Sequence, residues 1–131
     1  MKKTGDPIDA FRLYTEAFRT LDPRAVAQFF NEPAIQINPR GVFALPNRAA
    51  VEQAYKPVMS ELPAMGYART DFSSLAERRL TDDLAVVSGT GTWKDASGKE
   101  LQRFGMTYTL RRTPEAWLIV AAVIYEAEPG K

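Results

Sequence analysis

The chain has 131 residues, a hydrophobic fraction of 45%, a charged fraction of 25% and a net charge of +1 at neutral pH. These values are typical of one globular domain over residues 1–131, with residues 1–6 and 128–131 expected as flexible termini. The small net charge argues against nucleic-acid binding, which needs a concentrated basic patch.

The chain contains neither histidine nor cysteine. Disulfides and thiol catalysis are therefore excluded, as are the commonest general base and the commonest ligand of transition metals. We predict no metal site, because no DxD or ExxE pair is present, and we predict no cofactor. The sequence also lacks a run of about 18 apolar residues, so we expect no membrane span and a cytoplasmic location.

Two short helices are predicted at the start of the chain. Asp6-Pro7 and Asp22-Pro23 each combine a capping carboxylate with a proline, which fits the first helical position. The first helix carries an apolar stripe at helical spacing, formed by Phe11, Tyr14, Phe18 and Leu21. The second helix carries Val26, Phe29 and Phe30 and is expected to stop near residues 31–33.

A short strand and a third helix follow. Residues 34–38 alternate between apolar and polar side chains and predict a strand, and residues 41–45 predict a second one. Asn47 can cap the third helix, whose apolar positions are Val51, Ala54, Tyr55, Val58, Met59 and Leu62. Pro57 should kink or divide this helix, and Pro63 with Gly66 should end it.

The rest of the chain predicts long antiparallel strands over residues 67–80, 84–94, 100–112 and 116–127. A bulge is expected around Ser73 and Ser74, and Gly98 suits the hairpin loop 95–99. Helices followed by a meander of strands indicate an α+β fold. Such long strands can curve around the helices and leave a cavity at one end.

Three segments carry a family resemblance. The first runs from Tyr14 through Asp22 to Phe30, the second is the turn and strand of residues 80–87, and the third spans residues 108–120. In their order and separation, these segments resemble the nuclear transport factor 2-like superfamily, which includes SnoaL-like polyketide cyclases and ketosteroid isomerases. The resemblance implies a cone of cystatin-like topology, in which helices pack in the concave side of a strongly curved antiparallel or mixed sheet around a mostly apolar pocket.

The resemblance also assigns positions in that pocket. Two pocket tyrosines of the isomerases are matched by Tyr14 and Tyr55, whereas their proton-shuttling aspartate is matched by Asn38. Met106 is nearest to the protonated aspartate that donates to the oxyanion in those enzymes. An amide cannot accept a proton near neutral pH, so the isomerase base is missing. The cyclases resembling this fold use an Asp/His pair, which a chain without histidine cannot supply.

Strand alternation extends the expected lining of the pocket. If Met106 faces inward, the last strand should present Trp117, Ile119, Ala121, Val123 and Tyr125 to the same side. Gly89 and Gly91 would leave room for a ligand or for a bend. The predicted ligand-binding residues are Tyr14, Phe18, Phe30, Asn38, Tyr55, Met59, Trp93, Met106, Tyr108 and Tyr125, and of these Tyr14 is the candidate hydrogen-bond donor.

Structural alternatives exist for these positions. The aromatic residues could be plain core, Tyr14 and Tyr55 could be a buried pair with satisfied hydroxyl groups, and Asn38 could bond to local backbone before Pro39. Another carboxylate could also serve as the base. The sequence does not decide whether Asp71 and Glu77, which lie beside the expected bulge, face the pocket, where loss of solvation would raise the pKa of either group.

The opposite face of the sheet is predicted to be apolar, with residues such as Val86, Thr107, Leu118, Ala122 and Ile124. Such a face favours a homodimer packed sheet to sheet. Three functions follow as hypotheses: a binding domain for a small apolar molecule without a catalytic base, an isomerase-, cyclase- or lyase-like enzyme acting on a small apolar carbonyl compound, and an interaction module with a filled pocket.

Overall fold

The computed structural model describes residues 5–126. Its helices are α1 (Pro7–Arg19), α2 (Pro23–Ala27) and α3 (Arg48–Met65). Its strands are β1 (Phe30–Asn38), β2 (Gly41–Leu45), β3 (Tyr67–Thr81), β4 (Leu84–Asp95), β5 (Glu100–Arg112) and β6 (Trp117–Glu126). The expected flexible ends at residues 1–4 and 128–131 lie outside the described residues.

The six strands form one mixed sheet in the order β2-β1-β6-β5-β4-β3. β1 runs parallel to β6, and the other neighbouring strands are antiparallel. The helices pack against one face of this curved sheet, which confirms the predicted α+β cone. None of the helices in residues 5–126 is long and apolar enough to cross a membrane.

The start of α1 is fixed by side chains from the sheet. The carboxylate of Glu77 accepts a hydrogen bond from the backbone N–H of Ile8 at 3.0 Å, and Arg79 pairs with Asp6 at 2.8 Å. The indole N–H of Trp117 donates to the carbonyl of Gly5 at 3.2 Å. Positions 5 and 6, assigned above to a flexible end, are therefore held to the sheet.

The second helix is shorter than predicted. It ends at Ala27, and Phe30 begins β1 instead of continuing the helix. The backbone N–H of Ile119 on β6 donates to the carbonyl of Phe29 at 2.8 Å. Pairing with β6 satisfies the backbone that a longer helix would have used, so the sheet overrides the helical spacing.

The third helix runs without interruption through Pro57 and Pro63 to Met65, so neither proline divides or ends it. The Asn47 side chain accepts from the N–H of Ala50 at 2.9 Å, which confirms the predicted cap. The helix ends at Gly66, whose φ of 86° is left-handed and suits glycine. A buried stripe of Val51, Tyr55, Met59 and Leu62 holds the helix against the core, because packing contributes more to helix stability than local propensity.

Among the register shifts of the sheet, two mid-strand bulges bear on which side chains face the helices. In β3 the register shifts between Ser73 and Ala76, and Ser74 has a φ of 55°, which confirms the predicted bulge. A second shift, which sequence reasoning missed, lies where Leu110 pairs with Ile119 but Thr109 pairs with Ala121. The extra residue, Val120, reverses the facing of every later residue on β6.

The predicted facing of β6 is therefore correct for Trp117 and Ile119 and wrong beyond them. Ala122 is fully buried and Ile124 packs against the core, although both were assigned to the outer face. Ala121, Val123 and Tyr125 face outward instead of inward, opposite Thr109, Thr107 and Gly105.

Candidate functional site

A cavity of about 430 Å³ lies between the helices and the concave face of the sheet. α1 and α3 form one wall, and side chains of β1, β3, β4, β5 and β6 form the other. Its lining is mostly apolar, with a few polar groups, and its volume falls in the range of small-molecule sites. The hypothesis of a filled pocket is not favoured by this open space.

Seven of the ten predicted ligand-binding residues line this cavity: Tyr14, Phe18, Asn38, Tyr55, Trp93, Met106 and Tyr108. The other three do not. Phe30 and Met59 are buried in the core behind the wall, with exposed fractions of 0% and 4%. Tyr125 is 46% exposed on the outer face of the sheet, because the β6 bulge turns it away from the cavity.

Three tyrosine hydroxyl groups meet at the cavity wall and form a tyrosine triad of Tyr14, Tyr55 and Tyr108. The hydroxyl of Tyr14 lies 2.7 Å from that of Tyr55 and 3.0 Å from that of Tyr108. Tyr14 is therefore the centre of a chain of two hydrogen bonds. The triad brings together residues that lie on α1, α3 and β5, far apart in sequence.

Aromatic rings fix the position of the triad. Phe30 packs edge-on against Tyr14 and Tyr55, with ring centroids 6.0 and 5.8 Å apart. Phe11 contacts Tyr108 at 5.1 Å. Edge-to-face pairs of this kind favour one geometry, so Phe30 supports the phenol groups although it does not line the cavity.

Burial keeps the triad neutral. Loss of solvation, reinforced by mutual repulsion of the ionised forms, raises the pKa of Tyr14 and of Tyr55 well above the ordinary value. Burial likewise raises the pKa of Tyr108 to about 12. At physiological pH all three phenol groups are therefore protonated, so they can donate or accept hydrogen bonds but cannot act as bases.

A count of protons shows what the triad offers to a ligand. Three hydroxyl groups carry three O–H protons, and the two hydrogen bonds between them use two. The third O–H is used by neither of these bonds, and it either turns to the remaining hydroxyl group, since Tyr55 and Tyr108 also interact, or donates to a ligand. Since a buried donor normally finds a partner, the site suits a ligand that brings one acceptor atom, such as a carbonyl oxygen.

Asn38 has a structural role at the end of β1. Its side-chain oxygen accepts from the backbone N–H of Arg40 at 2.9 Å, and its amide group donates to Gln36 at 3.4 Å. Asn38 thus does both things that the sequence left open: it lines the cavity, and its side chain bonds to the local backbone. With its oxygen occupied, Asn38 presents an N–H donor and no proton acceptor for catalysis.

The two glycines of β4 serve packing and leave no extra space for a ligand. A Cβ atom on Gly91 would lie 2.5 Å from the ring of Phe104, and one on Gly89 would lie 3.1 Å from the backbone of Ser73. Phe104 lies over Gly91 and reaches the cavity, and the β3 bulge lies over Gly89. Both glycines therefore shape the concave wall.

Neither carboxylate considered as a substitute base lines the cavity. Glu77 caps α1. Asp71 pairs with Arg69 and Lys94, each at 3.0 Å, and the hydrogen bonds from these two groups lower its pKa. Within residues 5–126, the acidic residue that does line the cavity is Glu61, exposed on α3.

Sequence reasoning missed several further residues of the lining. Gln36, Arg40, Glu61 and Gln102 are polar, Phe11 and Phe72 are aromatic, and Ile124 comes from β6. Phe11 and Gln36 could have been found, because Phe11 shares the stripe of Tyr14 and Gln36 shares the strand face of Asn38. Ile124 could not, because no sequence signal marks the β6 bulge.

Within residues 5–126 no cluster of three acidic residues could hold a metal ion.

Comparison with known proteins agrees with this architecture. The sequence profile described as NTF2-like protein (DUF6841) matches residues 8–127. The chain belongs to this NTF2-like family. No curated protein matches the sequence of this DUF6841 member.

Solved structures similar to this DUF6841 member share its fold. An NTF2-like protein with a cystatin-like fold from Novosphingobium aromaticivorans has a TM-score of 0.74 at 18% identity, covering 93% of this chain and 80% of that one. A "putative calcium/calmodulin-dependent protein kinase type II association domain" from Thiobacillus denitrificans has a TM-score of 0.77 at 17% identity, covering 98% and 100%. A "putative ketosteroid isomerase" from Parabacteroides distasonis has a TM-score of 0.69 at 20% identity, covering 92% and 87%.

Proposed function

We propose that this DUF6841 member binds a small, largely apolar molecule in its cavity and holds one acceptor atom of that molecule on the tyrosine triad. The observation that carries the proposal is the cluster of three tyrosine hydroxyl groups, whose third O–H neither bond of Tyr14 uses, on the wall of an otherwise mostly apolar cavity. A carbonyl compound or an ether fits this arrangement, because it supplies an acceptor and apolar surface together.

The side chains of the cavity favour ligand binding without proton transfer over catalysis. The triad is neutral at physiological pH, and Asn38 has no basic atom. General base catalysis needs a group with a pKa near the working pH within reach of the substrate. The buried part of the cavity supplies no such group among the described residues.

An isomerase-, cyclase- or lyase-like enzyme is the second candidate, and Glu61 is the observation that favours it. This carboxylate lies on the cavity wall and could take a proton from a substrate whose carbonyl oxygen rests on the triad. Turnover that is lost in Glu61→Gln while the ligand is still bound would favour this candidate over simple binding.

A homodimer through the outer face of the sheet is part of the proposal. Ile37, Val42 and Tyr125 are exposed by 37%, 65% and 46%, and strand register places Val42 beside Ile37. A second copy covering this face would remove apolar surface from water. The cavity lies on the other face, so dimerisation would leave it accessible. A cytoplasmic location stays a prediction.

Native mass spectrometry of freshly purified protein tests the binding proposal. We expect a carried-over small molecule, or else stabilisation in a thermal-shift screen of apolar ketones, ethers and the matching hydrocarbons. A ligand at 100 times its Kd should raise the free energy of unfolding by about 2.7 kcal/mol. Protein that carries nothing and is stabilised by no member of the screen would contradict the proposal.

A further inference from the structure

A second concave site lies on the outside of α1. This groove has a volume of about 490 Å³ and runs between α1 and β3. Leu13, Phe72 and Leu75 supply apolar surface, whereas Asp9, Arg12, Glu16 and Arg19 supply a charged margin. We call this site the α1/β3 groove.

The groove and the central cavity share one wall. Four residues line both sites: Phe11, Thr15, Thr70 and Phe72. Phe11 and Phe72 meet edge to face, with ring centroids 5.3 Å apart. The barrier between the two spaces is therefore a single layer of side chains.

Phe72 is the replaceable part of that wall. Phe11 is 1% exposed and packs into the core, whereas Phe72 is partly exposed and lies on β3, an edge strand of the sheet. The β3 bulge lies between Ser73 and Ala76, and because of it Phe72 and Leu75 both line the groove although three positions separate them. Of the two aromatic residues in the wall, Phe72 is therefore the one that can change position with less disturbance of the core.

The wall is also close to the tyrosine triad. Phe11, one of the wall residues, contacts both the triad and Phe72, because its ring centroid lies 5.1 Å from that of Tyr108 and 5.3 Å from that of Phe72. A ligand whose acceptor atom rests on the triad has two directions for its apolar tail. One leads to the polar margin at Asn38, Arg40, Glu61 and Gln102. The other leads across Phe72 into the groove, where apolar surface continues.

We propose that the α1/β3 groove is the second compartment of the ligand site and receives the tail of an elongated apolar ligand. The size of the side chain at position 72 decides how long a tail can pass into it. The proposal rests on the proposed function, because it assumes a ligand anchored in the central cavity. Its occupant is the tail of that same ligand, since the two spaces share their wall.

A homologous series of methyl n-alkyl ketones tests the length limit. In the wild-type protein we expect affinity to rise about fourfold with each methylene, beyond the length that the central cavity holds. Phe72→Trp should stop this rise at a shorter chain, and Phe72→Ala should not. Leu80→Ala is the matched control, because Leu80 is exposed on the same strand and lines neither space. Plateaus at the same length in all four proteins would overturn the proposal.

Photolabelling of the wild-type protein avoids dependence on the variants. A long-chain methyl ketone with a diazirine at its far end should label residues that line the groove and not the cavity, such as Arg12, Leu13, Glu16 and Leu75. Labels at Asn38, Arg40, Glu61 or Gln102 would show that the tail leaves through the polar margin, which overturns the second compartment and leaves the binding function intact. Groove labelling that disappears when the protein is diluted at constant ligand concentration would assign the groove to a second copy of the chain and would overturn the proposal. If no ketone of any length binds, the proposed function fails as well.

Discussion

At the scale of single residues, the central position of Tyr14 has an energetic consequence. Tyr14→Phe removes both hydrogen bonds of the triad, whereas Tyr55→Phe or Tyr108→Phe removes one. A buried hydroxyl group that loses its partner costs about 1–3 kcal/mol. Urea unfolding should therefore show a larger loss of stability for Tyr14→Phe than for either other variant, and an equal or smaller loss would contradict the geometry.

The raised pKa values predict loss of stability in alkaline solution. Below pH 10 the triad is neutral in both the folded and the unfolded protein. Above pH 10 the unfolded chain releases protons that the folded protein keeps, up to about pH 12 for Tyr108. The free energy of unfolding should then fall as pH rises, by up to about 1.4 kcal/mol per pH unit for each tyrosine.

The control for the alkaline prediction is the triple variant Tyr14→Phe, Tyr55→Phe and Tyr108→Phe. It should fold, because removal of all the partners together leaves no unsatisfied hydroxyl group. Denaturant titrations between pH 9 and pH 12 should show a shallower fall than in the wild-type protein. Identical slopes would show that the triad is not buried and neutral.

At the scale of elements, Glu77 is expected to stabilise α1 and to have no part in ligand binding. It bonds to the N–H of Ile8 at the start of the helix, where a negative charge also favours the helix dipole. Glu77→Ala should lower the free energy of unfolding by about 1 kcal/mol and leave ligand affinity unchanged. Glu115→Ala, at an exposed turn position, is the control. A loss of ligand affinity in a folded Glu77→Ala protein would show that Glu77 takes part in ligand binding and would contradict this prediction.

The β6 bulge marks the limit of prediction from sequence. Helix caps at Asp6 and Asn47, the α1 stripe and the β3 bulge all leave local signals, and the resemblance correctly brought Tyr14 and Tyr55 to one wall. The inserted residue Val120 leaves no signal, because Leu118 to Ile124 is apolar throughout and reads equally well in either register. One residue thereby moved Tyr125 outward and Ile124 to the cavity wall.

The predicted end of α2 was wrong for a different reason. Phe29 and Phe30 continue a helical pattern after Val26, and only the partner strand β6, far away in the sequence, makes the extended backbone preferable. The sequence likewise did not predict that Phe72 lines the cavity, because its role depends on its contact with Phe11, which is distant in the sequence. Tertiary pairing decides such positions.

At the scale of the whole molecule, the outer face of the sheet should hold two copies together. A charge placed there, as in Val42→Lys or Val123→Lys, would be desolvated at the interface and should convert a dimer to a monomer. Light scattering with size exclusion at micromolar concentration measures this change. Leu13→Lys, on the exposed side of α1, is the control and should remain dimeric. A wild-type protein that is monomeric under these conditions would contradict the interface.

The tyrosine triad as the recognition element of the cavity is tested most directly by a matched ligand pair. Binding of a ketone and of the hydrocarbon of the same shape is measured with the wild-type protein and with the triple phenylalanine variant. We predict that the wild-type protein binds the ketone about 2- to 12-fold more tightly than the hydrocarbon, as one net hydrogen bond contributes. The triple variant should lose this preference or reverse it, because the ketone then buries its carbonyl oxygen without a hydrogen-bond donor. The same preference for the ketone in both proteins, or no binding of either ligand to the wild-type protein, would contradict the proposed site.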